Sequence, residues 1–298
     1  MAAPRSVTFP SNWQKPENLA DWLELTAINA ADGDASAGDL ERELTRLNCR
    51  NCESLLGNVL TEVGRREVSS GGFYPFERRE TSVRIREAAQ NFPTYFFCLA
   101  LSAMGWKLRR NAPQNPWLLF EQVSALAAGT YLGGEVLIFG TSSRVGRKAK
   151  NVFRSNVKSL ADALREGEDF GRLKTFSTKD SQLDVVAWKP FADRRSSQIV
   201  LFGQCAAGGD WRTGKLTELD PDAFWDQWFL RTKVSAVLRS VFIPHRIFDD
   251  EEWCLRATSA RLLFDRCRVT AHAHEKVNAG DLKERLLECC RLEWNLRI

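Results

Sequence analysis

The spacing of apolar residues divides the chain into a first part of helical character and a second part in which helices and strands alternate. Apolar side chains recur at helical spacing over residues 18–23 and 38–60. Beyond residue 115 the pattern predicts, in order, helix 117–131, strand 136–139, helix 149–165, strands 183–188 and 199–205, a helix entered through Asp220 and Pro221, strands 237–243 and 262–269, and helix 280–295. This mixture predicts an α/β protein with a mainly helical N-terminal region.

A proline-containing segment separates the two parts. It runs Asn111-Ala-Pro-Gln-Asn-Pro116, in which Asn115 suits an N-cap and Pro116 the first position of a helix. The sequence therefore predicts a helical N-terminal region over residues 1–112 and an α/β domain with C-terminal additions over residues 113–298.

Two of the predicted strands, 183–188 and 199–205, flank a polar loop, which is typical of a hairpin with a long connection. If the hairpin is symmetric about Arg194, Asp184 faces Gln204. Directly opposed side chains in antiparallel strands lie about 5 Å apart, and a carboxylate and an amide oxygen at that distance can share one hard cation. The alternative for Asp184 is a strand-end residue that caps a turn.

The order of these motifs carries a family resemblance. A helix with Phe120-Glu121, a strand that opens with Asp184-Val-Val and a strand that ends in Gln204-Cys205 resemble the Mrr-like restriction endonucleases of the PD-(D/E)XK nuclease superfamily. In that family a helical Glu precedes a Gly-x-Asp strand and a Gln-x-Lys strand. The resemblance spans residues 115–220. It implies a restriction-endonuclease-like core, with a mixed central sheet flanked by helices.

The sequence departs from this pattern at the motif lysine, because Ala206 stands two residues after Gln204. Some members of the superfamily supply the lysine from the following helix, and Lys215 is placed for that role. Lys189 is a second candidate, but strand pairing puts it a hairpin's length from the metal, which favours Lys215. If neither lysine reaches the site, the domain is a catalytically inactive nucleic-acid-binding or scaffolding subunit.

The resemblance implies Mg²⁺- or Mn²⁺-dependent hydrolysis of phosphodiester bonds, with DNA as the expected substrate. Asp184, Gln204 and the backbone carbonyl of Cys205 would hold the cation through oxygen atoms. Glu121 would bind a second metal or orient water, and Lys215 would stabilise the attacking hydroxide. Because Gln204 is neutral, metal binding should be weaker than at an Asp/Glu pair.

The resemblance also implies a biological setting, which is prokaryotic defence against phage or other foreign DNA. Nucleases of this kind often work with a separately encoded sensor or ATPase subunit, so a partner is expected, and a homo-oligomer is open. The chain has no apolar run near the roughly 20 residues that a membrane span needs. Its first residues also lack the pattern of a signal peptide. These features predict a cytoplasmic protein.

Charge adds one candidate surface. With 42 Lys and Arg against 38 Asp and Glu, the net charge of +4 permits a nucleic-acid partner without requiring one. The densest basic cluster would contact phosphates, although a solvated helix face is the alternative. Its members are Arg144, Arg147, Lys148, Lys150 and Arg154.

The eight cysteines include one pair with meaningful spacing, Cys49 and Cys52. A structural zinc site needs about four ligands, and no second Cys-x-x-Cys or His pair completes this one. We interpret the pair as unmetallated thiols. A zinc or redox protein built on them is the third function considered.

Overall fold

The computed structural model describes residues 7–105, 107–108, 112, 114–139, 147–168 and 182–291, with only the backbone described for residues 147–152. The chain divides into two compact units. The first unit comprises Met1–Pro116, Pro244–Trp253 and Asp265–Ile298, and the second comprises Trp117–Ile243 and Cys254–Phe264. Among the described residues, no helix has the length and apolar character needed to cross a lipid bilayer.

The protein is a mixture of helices and strands, as predicted. The α-helices described are α1 (Pro16–Asn29), α2 (Ala37–Arg46), α3 (Cys52–Ser69), α4 (Pro93–Met104), α5 (Pro116–Leu132), α6 (Arg147–Leu164), α7 (Pro221–Trp228), α8 (Asp250–Ala260), α9 (Arg266–Asn278) and α10 (Leu282–Arg291). The strands described are β1 (Asp34–Ser36), β2 (Phe76–Arg78), β3 (Ser82–Ile85), β4 (Glu135–Ile138), β5 (Val185–Lys189), β6 (Ile199–Cys205), β7 (Ala236–Phe242) and β8 (Leu262–Phe264).

The second unit is built on a mixed five-stranded sheet in the order β4-β5-β6-β7-β8. The pairs β4–β5 and β5–β6 are antiparallel, whereas β6–β7 and β7–β8 are parallel. The β5–β6 hairpin pairs Val185 with Gly203 at one end and Lys189 with Ile199 at the other, so it is symmetric about Arg194. The predicted register of the hairpin is therefore confirmed over these pairs.

One face of this sheet packs against an aromatic core supplied by α6 and α7. On α6, Phe153, Val157 and Leu160 are buried while Arg154 and Lys158 are exposed, as expected for an amphipathic helix. Helix α7 begins as predicted, because the Asp220 side chain accepts hydrogen bonds from the backbone N–H groups of the first turn. The aromatic members of the core are Phe139, Phe153, Trp188, Phe202, Phe224, Trp225, Trp228 and Phe229.

The predicted strand 262–269 is correct only for its first three residues. Strand β8 ends at Phe264, and Asp265 then acts as an N-cap, since its side chain accepts a hydrogen bond from the Arg268 backbone N–H at 3.0 Å. The chain therefore continues as helix α9.

The first unit contains more than the predicted helices. Strands β1, β3 and β2 form a small antiparallel sheet, which the helical periodicity of this region did not indicate. Helices α9 and α10 both pack against α4. The predicted boundary near residue 112 thus lies close to the end of the first segment of this unit at Pro116, but the C-terminal helices belong to the N-terminal unit.

Ion pairs inside the first unit join segments that are distant in sequence. Arg66 donates to Glu24 and to Glu62, each at 2.8 Å, and Arg266 donates to both carboxylate oxygens of Asp21 at 2.8 Å. The hydroxyl groups of Tyr74 and Tyr95 donate to Glu24. We call this set the buried ion network, whose charged members are Asp21, Glu24, Glu62, Arg66, Arg246, Asp265 and Arg266.

Removal of one arginine from this network should be costly. The Arg266 side chain is fully buried, and its loss removes the two-point partner of Asp21, which among the described residues then keeps only its ion pair with Arg66. We expect Arg266→Leu to lower the free energy of unfolding by about 3–5 kcal/mol, measured by urea denaturation. The control is Arg42→Leu, because the Arg42 side chain is 72% exposed and its ion pair is worth about 1 kcal/mol or less. Equal effects of the two substitutions would contradict a stabilising role for the network.

Candidate active site

Asp184 directly precedes β5, at the end of the sheet where β6 finishes. Its backbone N–H donates to the Gly203 carbonyl at 2.9 Å, and its own carbonyl accepts from the Phe139 N–H at 2.7 Å. The carboxylate accepts a hydrogen bond from the Cys205 N–H at 2.8 Å. Asp184 is therefore bound to a neighbouring strand rather than to a local turn, which disfavours the turn-capping alternative.

The surroundings of Asp184 make its ionisation costly. The residue is half-buried, and burial raises the pKa of its carboxyl group from 3.8 to about 7, although the Cys205 N–H and the positive charge of Lys215 act in the opposite direction. Lys215 is therefore close enough to influence Asp184 electrostatically. Any additional positive charge placed beside Asp184 would stabilise the ionised form of its carboxyl group.

Gln204, on β6, is buried, and only one end of its side-chain amide forms hydrogen bonds with described residues. Its Nε2 donates to Glu218 Oε2 at 3.1 Å and faces Gln182 Oε1 at 3.3 Å. A carboxylate only accepts hydrogen bonds, so the amide NH₂ group must face Glu218. The opposite atom, Oε1, is buried and accepts no hydrogen bond within the described part of the chain. A buried acceptor without a donor is unfavourable, and a cation would satisfy it.

Lys215 belongs to the irregular helical turn Trp211–Lys215 that follows β6. Its Nζ lies 3.0 Å from Glu218 Oε1 and 2.9 Å from Oε2. Glu218 thus holds both the lysine and the amide of Gln204. The sequence reading missed Glu218, although its position three residues after Lys215 was a usable signal, because residues at that spacing meet on a helical turn.

Lys189 lies at the opposite end of the β5–β6 hairpin, where it pairs with Ile199. Five residues separate it from Asp184, which corresponds to roughly 16 Å along a strand. Its ammonium group lies beside Gly133 instead. Of the two lysines considered, only Lys215 lies near Asp184.

Helix α5 brings Glu121 towards the same end of the sheet. Glu121 is buried, and its charge acts on the Cys205 side chain. Burial, then the charges of Asp184 and Glu121, raise the pKa of the Cys205 thiol well above its usual range, so this cysteine is a neutral thiol. Glu121 and Asp184 are therefore both within electrostatic reach of Cys205.

The predicted basic cluster is only partly covered. Arg144 lies outside the described residues, and for Arg147, Lys148 and Lys150 only the helical backbone of α6 is described. Arg154 is exposed on α6, beside the buried Phe153. The predicted nucleic-acid surface stays a prediction.

The donors at this site suit a hard cation held weakly. Within the described residues, no three or more His, Cys, Asp or Glu side chains are grouped so that they could hold a metal ion. The available oxygens are the Asp184 carboxylate and the Gln204 amide, and Mg²⁺ commonly keeps several waters or substrate oxygens in addition to one or two carboxylates. Two oxygens do not complete a coordination shell, so a Mg²⁺ ion at this site would take most of its ligands from water or substrate.

Comparison of the chain with protein-family models, with curated proteins and with solved structures finds no match. The interpretation of this site therefore depends on its own geometry.

The raised pKa of Asp184 predicts a stability effect that depends on pH. In the unfolded chain the carboxyl group ionises at its ordinary pKa of 3.8, whereas in the folded protein it ionises near pH 7. The folded protein thus loses stability relative to the unfolded chain as the pH rises from about 4 to about 7. Asp184→Asn removes this loss, so we expect the variant to exceed the wild type in stability at pH 8 by on the order of 4 kcal/mol, since each pKa unit of the shift corresponds to about 1.4 kcal/mol.

This difference should be much smaller at pH 4.5, where the wild-type carboxyl group is protonated. Urea denaturation of both proteins at the two pH values measures it. A stability difference that is the same at both pH values, or larger at pH 4.5, would show that folding does not raise the pKa of Asp184.

Proposed function

We propose that this protein is a divalent-metal-dependent nuclease that hydrolyses phosphodiester bonds in DNA. The observation that carries the proposal is that the β5–β6 register sets Asp184 opposite Gln204, while Lys215 is paired with the Glu218 carboxylate that also accepts from the Gln204 amide. An acid, a buried amide oxygen without a donor and a lysine are the groups that this chemistry requires. The spacing of the hairpin predicts the acid and the amide, Asp184 and Gln204, and the turn after β6 supplies the lysine, Lys215.

Asp184 and Gln204 would hold the cation through one carboxylate oxygen and Oε1, with the Cys205 carbonyl as a further candidate. Bound Mg²⁺ supplies neutralisation of phosphate charge and a more acidic water molecule. The carboxylate of Asp184 would remain ionised beside the cation. The bond from the Cys205 N–H fixes one of its oxygens and so restricts the direction in which the other points.

Lys215 would stabilise negative charge that develops on the attacking oxygen and on the phosphate. Glu218 acts as a positioning residue in this scheme, because it fixes the lysine ammonium and the amide orientation of Gln204 at the same time. Glu121, close to Cys205, would orient water or contribute to a second cation. These roles account for the residues clustered at this end of the sheet.

The order of elements in the second unit supports a restriction-endonuclease-like core. The helix that carries Glu121 is followed by β4, by helix α6, by the hairpin that brings in Asp184 and Gln204, and then by α7 and the parallel strand β7. DNA as the substrate, and a role in antiphage or restriction-type defence with a sensor or ATPase partner, come from the family resemblance. The exposed Arg154 and Lys158 on α6 are compatible with contacts to a phosphate backbone.

The alternative function is a catalytically inactive nucleic-acid-binding or scaffolding subunit of a defence complex. The observation in its favour is the buried Ala206 at the position of the motif lysine. The ion pair between Lys215 and Glu218 also favours it, since a lysine neutralised by a carboxylate is a weaker stabiliser of negative charge. A cleavage assay distinguishes the two functions.

We expect the purified protein to cleave supercoiled plasmid DNA in the presence of Mg²⁺ or Mn²⁺. Asp184→Ala should lower the cleavage rate by at least about 100-fold because a metal ligand is lost, and Lys215→Ala by about 100-fold because transition-state charge is less stabilised. The matched control is Lys189→Ala, which removes a lysine from the end of β5 far from Asp184 and should leave the cleavage rate within about twofold of the wild type.

Each variant is first checked for folding by circular dichroism. Cleavage that survives Asp184→Ala would rule out this site. Equal losses in Lys215→Ala and Lys189→Ala would rule out the assignment of the lysine. If the wild type fails to cleave DNA even with its partner subunit present, the inactive subunit is the better description.

The neutral Gln204 predicts that metal affinity can be increased. Gln204→Glu restores an Asp/Glu pair, and the additional negative charge should tighten Mn²⁺ binding by about tenfold, measured by calorimetry on the DNA-free protein. The control is Gln227→Glu, which adds the same charge at an exposed position on α7 and should leave the affinity unchanged. An unchanged affinity in Gln204→Glu would argue against Gln204 as a ligand.

A further inference from the structure

The Cys49-Arg50-Asn51-Cys52 segment forms the turn between α2 and α3 in the first unit. Helix α2 ends at Arg46 with Leu47 as its C-cap, and the next residue, Asn48, adopts the left-handed conformation at φ +53°. The Asn48 N–H then bonds to the Thr45 carbonyl at 3.0 Å and the Cys49 N–H to the Leu44 carbonyl at 3.1 Å. This is the hydrogen-bond pattern of a Schellman motif, which fixes the backbone at Cys49.

The second cysteine is fixed by the next helix. Cys52 is the first residue of the 18-residue helix α3. Its Sγ donates to the Cys49 carbonyl at 3.1 Å, so the Cys52 side chain turns back towards Cys49. The neighbouring Cys49 side chain is the largest of the influences that raise the pKa of the Cys52 thiol. Both cysteines therefore lie at the junction of two helices, with the Cys52 thiol directed back towards Cys49.

The pair is accessible, in contrast to most of the other cysteines. Cys49 and Cys52 are both half-exposed, whereas buried positions are occupied by Cys98, Cys267, Cys289 and Cys290. Cys254 is exposed but belongs to the other unit. An oxidant in solution can thus reach two adjacent thiols at this turn.

We propose that Cys49 and Cys52 form a redox-sensitive dithiol, which closes to an intramolecular disulfide by exchange with a low-molecular-weight disulfide such as oxidised glutathione. The site is independent of the proposed nuclease activity. Two thiols do not complete a structural zinc site, and no group of three or more His, Cys, Asp or Glu ligands lies within the described parts of the chain. Two neighbouring thiols can, however, form a disulfide bond without any further residue.

The exchange proceeds in two displacements. The thiolate of one cysteine attacks a sulfur of the small disulfide, and one small thiolate leaves and takes up a proton. The second cysteine thiolate then attacks the resulting mixed disulfide and displaces the other small thiol. The protein loses two electrons and two protons, and the small disulfide is reduced to two thiols.

The rate of this reaction should be modest. The raised pKa of Cys52 reduces its thiolate fraction at neutral pH, and the thiolate is the reactive form. The pair therefore suits a dithiol that responds to sustained oxidation, rather than a catalytic thiol that turns over rapidly.

Trypsin provides a direct test, because it cleaves after Arg46, Arg50 and Arg65 and so separates the two cysteines. The full-length protein is incubated with oxidised glutathione, its remaining thiols are blocked with iodoacetamide, and its tryptic peptides are analysed by mass spectrometry without reduction. We expect peptides Leu47–Arg50 and Asn51–Arg65 to appear as one disulfide-linked species, which separates on reduction.

Single variants show whether the two thiols react with each other. Cys49→Ser and Cys52→Ser should each carry glutathione on the remaining cysteine, whereas Cys254→Ser should form the Cys49–Cys52 bond as the wild type does. The proposal is overturned if wild-type Cys49 and Cys52 carry separate glutathione groups. It is also overturned if both stay reduced while the exposed Cys254 is modified.

Discussion

The burial of a guanidinium group is costly unless carboxylates accept its hydrogen bonds, and the first unit places Arg66, Arg246 and Arg266 inside it. Their partners come from α1, α3 and the segment that enters α9. The buried ion network therefore determines which segments pack together, because any other packing would leave a buried charge without a partner. The two tyrosine hydroxyls that complete the hydrogen bonding of Glu24 show that the remaining acceptors are also used.

In the second unit the same cost of burying a charge falls on a single carboxylate, that of Asp184. The strand pairing of the central hairpin places Asp184 beside apolar residues. The Cys205 N–H and Lys215 compensate only part of the cost of its negative charge. The buried ion network satisfies its charges fully, whereas the hairpin end does not. This contrast is the reason for placing the proposed chemistry at Asp184 and a structural role in the network, since perturbed groups cluster at functional sites.

The hairpin could be predicted from the sequence because two apolar strands and one polar loop determine their own register. The start of α7 was also predictable, as the Asp220-Pro221 pair is a local signal. The switch from β8 to α9 was not, because the apolar residues after Leu262 fit a strand and only the N-cap role of Asp265 decides the outcome. Long-range pairing was equally hidden. Periodicity does not reveal that α9 and α10 pack on α4, or that Glu218 lies between Gln204 and Lys215.

The discontinuous first unit has a consequence for biosynthesis. The ribosome releases the segment up to Pro116 well before Asp265, and the intervening residues take on the order of ten seconds to synthesise. Throughout that interval Glu24, Glu62 and Arg66 are present in the nascent chain, whereas Arg246 is added only near its end and Arg266 only after it. The N-terminal segment therefore stays accessible to chaperones and proteases until α9 and α10 have been synthesised, and the first unit completes its folding only then.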